Sequence, residues 1–241
     1  MMTTDKVKLG IIGAMAVEVE LLAESMEVTS KLERSVTTFY EGTLNGCDVV
    51  VAKCGIGKVN AAACAQSMID LFGVTHLVNT GVAGSLSEDL GIGDLLISTE
   101  VAHHDVDVTP LGFEPCRLPD FPEVFFVADP AMREKLKRAC EIAAPDVTCL
   151  SGRVASGDQF VSGAEDRKRI HEALGASCAE MEGAPIAQVA TVNDVPFVIL
   201  RAISDHADGS ACDDYPAFER SSAMIAARAM QEFAGLMAAS S

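Results

Sequence analysis

The sequence predicts an α/β fold: a single-domain three-layer αβα sandwich around a twisted, mixed central sheet. Three observations carry this expectation. Short apolar runs alternate with amphipathic or Ala-rich runs along the chain, the pattern that places helices on both faces of a sheet. The pair Asn45-Gly46 lies between two extended runs. It is a type I′ hairpin signal, so at least one strand pair is antiparallel and the sheet is mixed. The 241 residues fit one large α/β domain or two small ones, and no linker, fixed-period repeat or low-complexity segment divides them. At this length roughly 70% of the unfolded surface is buried on folding, so no staples are needed.

The elements follow in order. Val7–Ile12 is a short apolar run stopped by Gly13, hence a strand. Ala16–Met26 sets Val17, Leu21 and Leu22 on one helical face. Phe39–Cys54 is the hairpin, and Gly55 and Gly57 end its second strand. Lys58–Phe72 is an Ala-rich helix. His76–Thr80 is a buried strand that runs into a loop of small residues, Gly81–Leu86. Asp94–Ser98 is a further strand. Ala102–Phe126 holds Pro110, Pro115, Pro119 and Pro122 and reads as irregular; a long loop in a compact domain is usually functional or an interface element. Pro130–Ala143 is a helix, Thr148–Ser156 a strand turned at Gly157-Asp158-Gln159, and Gly163–Leu174 a charged surface helix. Ser177–Met181, Gly183–Asn193 and Val195–Ser204 form a last strand–helix–strand unit. Pro216–Met237 closes the chain as a helix with Phe218, Ile225, Ala229, Phe233 and Leu236 on one face.

Composition narrows the function. Hydrophobic residues make up 49% of the chain, which argues against disorder. Lys plus Arg number 18 against 35 Asp plus Glu, a net charge of −17. Such a surface repels phosphate backbones, so nucleic acid is not expected as a partner. A polyanionic substrate is disfavoured outside a local basic pocket. The eight cysteines form no CxxC pair and most lie in apolar runs, so they read as reduced core thiols of a cytoplasmic protein. The first residues lack the apolar stretch of a signal peptide. No run of about 18 apolar residues is present, and no membrane association is expected.

Several segments bear on chemistry. GIGKVN, at 55–60, follows a strand and opens a helix, yet it lacks the third glycine of a dinucleotide fingerprint and the Ser or Thr of a P-loop. It reads as a tight βα turn. HHDVDV, at 103–108, resembles a ligand cluster, but extended chain sends His103 and His104 to opposite faces, and no metal is expected. In NTGVAGS, at 79–85, Gly81 and Gly84 either let a ligand approach the backbone or pack a turn. Glu180 and Glu182 alternate along a strand and so point one way. Glu182 and Glu18 both precede or open helices, where an acid complements the macrodipole. Asp205 ends the apolar run VPFVILRAIS, with Arg201 four residues back. A half-buried acid there needs a partner or a chemical role.

With these residues in view, the chain resembles the 5′-methylthioadenosine/S-adenosylhomocysteine nucleosidase family of the nucleoside phosphorylase superfamily. The matching segments are GIIGAMAVEVELL at 10–22, GIGKVNAA at 55–62, NTGVAGSL at 79–86, GDLLIST at 93–99 and HHDVDVT at 103–109. They continue with SGDQFVSG at 156–163, AEMEGAPIAQV at 179–189 and ILRAISDHAD at 199–208. Each is weak alone; their order over nearly the whole chain is specific.

The resemblance implies a nucleoside phosphorylase-like fold and hydrolysis of an adenine nucleoside without a cofactor. It implies that Glu18 activates water, and that Asp205 binds adenine and helps protonate N7, steadied by Ser204. Glu182 would hold the ribose hydroxyls, with Met181 against the sugar. Phe160 and Val161 would line the base pocket, Ala83 and Gly84 its floor, and Ala14, Met15 and Val82 the rest of the substrate site. It also implies a homodimer in which Leu111 and Pro119 cap the neighbour's 5′ pocket. Breaking a purine N-glycosidic bond leaves positive charge on the sugar and negative charge on the base, and acids at both ends answer this.

The chain departs from the family at Val82, where Ser is common, and at His103, where Tyr is common. His103 is expected at the dimer interface or pocket rim. Three other readings compete. A phosphorylase of the same fold would hold phosphate with arginines, but this chain has Asn79 before the glycine segment and Glu18 with no Arg in the first βα turn. A futalosine or aminodeoxyfutalosine hydrolase would share the base and ribose machinery. A binding module would need the pocket without a base acting on water.

Overall fold

A computed structural model describes residues 6–207 and 215–239, with side chains for 6–207 and 220–239. Among the described residues ten strands and six α-helices alternate, as the sequence implies. The sheet begins at an edge strand, β2 (Glu27–Arg34), and passes through β3 (Thr37–Leu44), β4 (Cys47–Lys53) and β1 (Lys8–Gly13) to β5 (His76–Ser85). From β5 the pairing closes on itself. β5 is parallel to β10 (Phe197–Asp205) and antiparallel to β9 (Cys178–Glu180). β9 lies parallel to β8 (Cys149–Ser156), β8 parallel to β6 (Leu95–His103), and β6 antiparallel to β10. Five strands thus form a ring, and β7 (Phe126–Val127) pairs onto β6 from outside it.

Helices cover both sides of this sheet. α1 (Ala16–Ser25), α3 (Pro130–Ala143) and α6 (Tyr215–Ala238) pack together on one side. α2 (Lys58–Phe72) and α5 (Gly183–Val192) pack together on the other, and α4 (Ala164–Leu174) rests on β8. The main apolar cluster runs from Leu9 in β1 to Met237 in α6. A smaller cluster under α4 gathers Leu86, Ala155, Val161, Ile170 and Leu174. The fold is therefore the expected layered, mixed α/β arrangement, with the added feature of ring closure.

The structure corrects several boundaries. The edge strand β2 carries no apolar run, and every one of its residues is exposed; Glu27, Lys31, Glu33 and Arg34 guard its outer edge against further pairing. The expected small-residue loop after Thr80 is strand, because Gly81–Ser85 finds partners in β10 and β9. β6 likewise runs five residues past Ser98, to His103, alongside β8. In α1 the buried face is Glu18, Val19 and Leu22, with Val17 and Leu21 half-buried. Of the face expected on the last helix, Ala229 and Phe233 are buried and Ile225 and Leu236 half-buried; the side chain of Phe218 and residue Cys212 lie outside the described residues. The hairpin at Asn45-Gly46 forms as read, with φ of +48° and +81° at its two central residues.

Candidate active site

A cleft of about 600 Å³, counting its open mouth, sits where β1, β5, β8, β9 and β10 end. Open α/β sheets bind ligands at that end. Ala14, Met15, Glu18, Val82, Ala83, Gly84, Phe160, Val161, Met181, Glu182, Ser204 and Asp205 all line it. So do Ile56, Gln159, Ala179 and Glu180, which the sequence reading did not place in the substrate site. Leu111, 72% exposed in the short helical turn Thr109–Leu111, and the exposed Pro119 lie outside the cleft of their own chain.

Glu18 is the third residue of α1. Its Oε2 accepts the amides of Ala14 at 2.6 Å and Met15 at 2.9 Å. That is the helix-start role of an acid. The other oxygen, Oε1, lies over Gly81: a Cβ there would stand 2.7 Å from it and would also collide with the Arg201 guanidinium. Gly81 therefore admits two protein side chains, not a ligand. Burial raises the Glu18 pKa, and the Met15 amide and Arg201 only partly oppose this.

Arg201 is 1% exposed, in the middle of β10. Its guanidinium bonds Asn79 and Glu180 and stands 3.8 Å from Glu182 Oε2. An arginine this deep needs such partners. Glu180 is the most fully bonded acid of the group. It accepts the Ser156 hydroxyl, Arg201, the Glu182 amide at 3.0 Å and the Gly183 amide at 2.8 Å. Glu180 and Glu182 do not point one way along a strand, because β9 ends at Glu180 and Glu182 begins the turn into α5. Glu182 instead reaches across to α2, where Oε1 accepts the Gly57 amide at 2.9 Å. Burial, and then the neighbouring Glu180 carboxylate, push its pKa up to about 7 against the pull of Arg201.

Asp205 enters the cleft through an irregularity. β10 pairs in register with β5 to Ile203↔Ala83, then skips Ser204 so that Asp205 sits opposite Gly84. A bulge of this kind re-aims the following side chain. It puts Asp205 opposite Gly84, and both residues line the cleft. Ser204 Oγ donates to Asp205 Oδ2 at 2.8 Å, and the Ala207 amide donates to Oδ1 at 2.8 Å. A Cβ on Gly84 would press to 2.8 Å from Oδ1, so glycine there makes room for the acid.

The two departures sit differently. Val82 lines the cleft, and its backbone faces Glu18. His103 is buried away from the cleft, 3.0 Å from Gln188 and edge-on to Phe126. His104 packs against Gly157. Among the described residues no group of His, Cys, Asp or Glu could hold a metal ion.

The cleft thus joins four acids: Glu18 anchored at a helix start, Glu180 and Glu182 beside Arg201, and Asp205 beyond a strand bulge. No Lys, Arg or His side chain lines it among the described residues. The phosphorylase superfamily matches residues 8–235. A 5′-methylthioadenosine/S-adenosylhomocysteine nucleosidase of Haemophilus ducreyi is 44% identical over 204 residues, 84% of this chain and 87% of that protein. The chain belongs to this nucleosidase family. A Colwellia psychrerythraea nucleosidase solved with adenine superposes at a TM-score of 0.91, with 34% identity over 97% of this chain and 96% of that one. A futalosine hydrolase of Helicobacter pylori superposes at 0.88, with 32% identity over 96% of this chain and 98% of that one. Among the described residues no helix is long and apolar enough to cross a membrane.

Proposed function

We propose that the protein hydrolyses the N-glycosidic bond of 5′-methylthioadenosine and S-adenosylhomocysteine, releasing adenine and the 5-thio-substituted ribose. The observation that carries this is the pairing of buried Glu18 and Asp205 in one cleft that, among the described residues, no cationic side chain lines. Glu18 takes a proton from a water that attacks C1′. The C1′–N9 bond breaks, its electron pair moves to the purine, and Asp205 delivers a proton to N7. A raised pKa suits Glu18 to this task, since a general base works best when its pKa lies near the working pH. Glu182 grips the ribose hydroxyls, and its charge, with that of Glu180, favours positive charge on the sugar. Met181 lies against the sugar, Phe160 and Val161 flank the base, and Ala83 and Gly84 lie beneath it.

Hydrolysis is favoured over phosphorolysis because Arg201, the arginine nearest the acids, is engaged by Asn79 and Glu180. Product analysis with and without phosphate tests this, and ribose 1-phosphate would refute it. The futalosine hydrolase likeness makes the 5′ group the open variable. A chromatographic panel of 5′-substituted adenosines and aminodeoxyfutalosine, scored for free adenine, decides it. We further read residues 1–241 as one nucleosidase domain acting in the cytoplasm as a homodimer, with no cofactor. Leu111 and Pro119, exposed here, would then cap the partner's 5′ pocket.

A further inference from the structure

Three sequence motifs stand outside the chemistry above: 55–60, 103–108 and 157–159. The fold brings one residue from each into contact. Lys58, the first residue of α2, donates Nζ to Asp105 Oδ1 at 2.6 Å. The other oxygen of Asp105 accepts the Asp158 amide at 2.9 Å. Asp158 Oδ1 in turn accepts the Lys58 amide at 2.8 Å. The three contacts close a loop joining the start of α2, the end of β6 and the end of β8. The ion pair is shielded, with side chains 22% and 16% exposed, so salt screens it less than a surface pair. Burial raises the Asp105 pKa, but Lys58 and the Asp158 amide outweigh it and hold the carboxyl below its ordinary range.

Each end of this clasp is bonded to the cleft. Gly57, next to Lys58, gives its amide to Glu182. Its φ is +99°, and a Cβ there would meet Asp158 Oδ1 at 3.0 Å. Asp158 is followed by Gln159, Phe160 and Val161, one wall of the cleft. We propose that Lys58, Asp105 and Asp158 are positioning residues that hold the ribose-side carboxylate of Glu182 and the base-side wall 159–161 in fixed relation. The assignment of sugar and base to these sides rests on the nucleosidase reading; the coupling of the two segments does not.

The test uses Lys58→Met and Asp105→Asn, with Lys58→Arg as the conservative variant and thermal melts to identify folded protein. Lys58→Gln serves if Lys58→Met does not fold. Amide hydrogen exchange in peptides spanning 55–61 and 157–162 is the readout that needs no turnover. Both segments are expected to exchange about tenfold faster in the charge-removing variants, the effect of losing ~1.4 kcal/mol of local stability. Lys58→Arg should restore slow exchange. With 5′-methylthioadenosine, the same variants should raise KM about tenfold and change kcat less than about threefold, and a double cycle with Glu182→Gln should be non-additive. Unchanged exchange at 157–162 in folded Lys58→Met overturns the clasp, whatever the turnover. Additive losses in the cycle overturn its action through Glu182. Wild-type protein that frees no adenine defeats the nucleosidase reading, and the exchange result then decides the clasp alone.

Discussion

Glu18 serves a helix and a cleft at once. One oxygen satisfies the amides that open α1, and the other faces Gly81 and the site. Glu18→Gln keeps the shape and removes the base, so kcat should fall about 10²- to 10⁴-fold while adenine still binds. Turnover and equilibrium adenine binding, measured together, check this; unchanged turnover contradicts the assignment. Because burial raises the Glu18 pKa, the acid limb of the kcat/KM profile should lie above the ordinary carboxylate value. Asp205→Asn should cost turnover least for purine analogues that leave readily without protonation, which a leaving-group series would show. The acids were legible singly: Glu18 by its place after Gly13, Asp205 by ending an apolar strand. Arg201 was visible only as a charge inside VPFVILRAIS, a sign that a buried partner must exist. That its partners are Asn79 and Glu180, 122 and 21 residues away in sequence, is tertiary information.

At the level of elements, the site depends on where β5 and β10 lack side chains or skip a residue. Gly81→Ala should destabilise the protein by about 1–3 kcal/mol through overpacking, because its Cβ collides with Arg201 and crowds Glu18. A melting curve beside an activity assay checks both consequences. Glu180→Gln leaves Arg201 short of a charged partner, and breaking a buried pair costs about 3–5 kcal/mol. Denaturant unfolding should show it, and a loss under 1 kcal/mol would mean that Glu182 compensates. Alternation and turn residues revealed most strands and every α-helix. They failed at β2, whose polar residues signal no buried face. They failed again at 81–85, where glycines that look like a loop are strand because β9 and β10 supply partners. The bulge at Ser204 had no sequence signal, since register is set between strands.

For the whole molecule, buried acids set how stability follows pH. The folded-state pKa values of Glu18 and Glu182 are raised, that of Glu182 to about 7 from an ordinary 4.5. Protonation therefore favours the folded state. This contribution is fully present below the ordinary value and is lost as pH rises through the folded one. The melting temperature of the ligand-free protein should fall between about pH 5 and pH 8, and Glu182→Gln should flatten that fall. A wild-type curve that rises over this range would contradict it. The net charge of −17 adds self-repulsion in the same direction. Light scattering should give twice the 25.3 kDa of one chain if the homodimer reading holds. The ring of strands has a last consequence. β10 is hydrogen-bonded to β5 on one side and β6 on the other, so the acids it helps place are fixed by backbone pairing. In the proline-rich segment between β6 and β7, Cys116 is buried under α4 and Leu118 and Phe121 pack on the main core, while residues 109–112 and 119–120 are exposed. On the homodimer reading, the choice of 5′ group would lie with this exposed stretch, and exchanging residues 109–112 and 119–120 for those of a relative should transplant that choice without rebuilding the scissile apparatus.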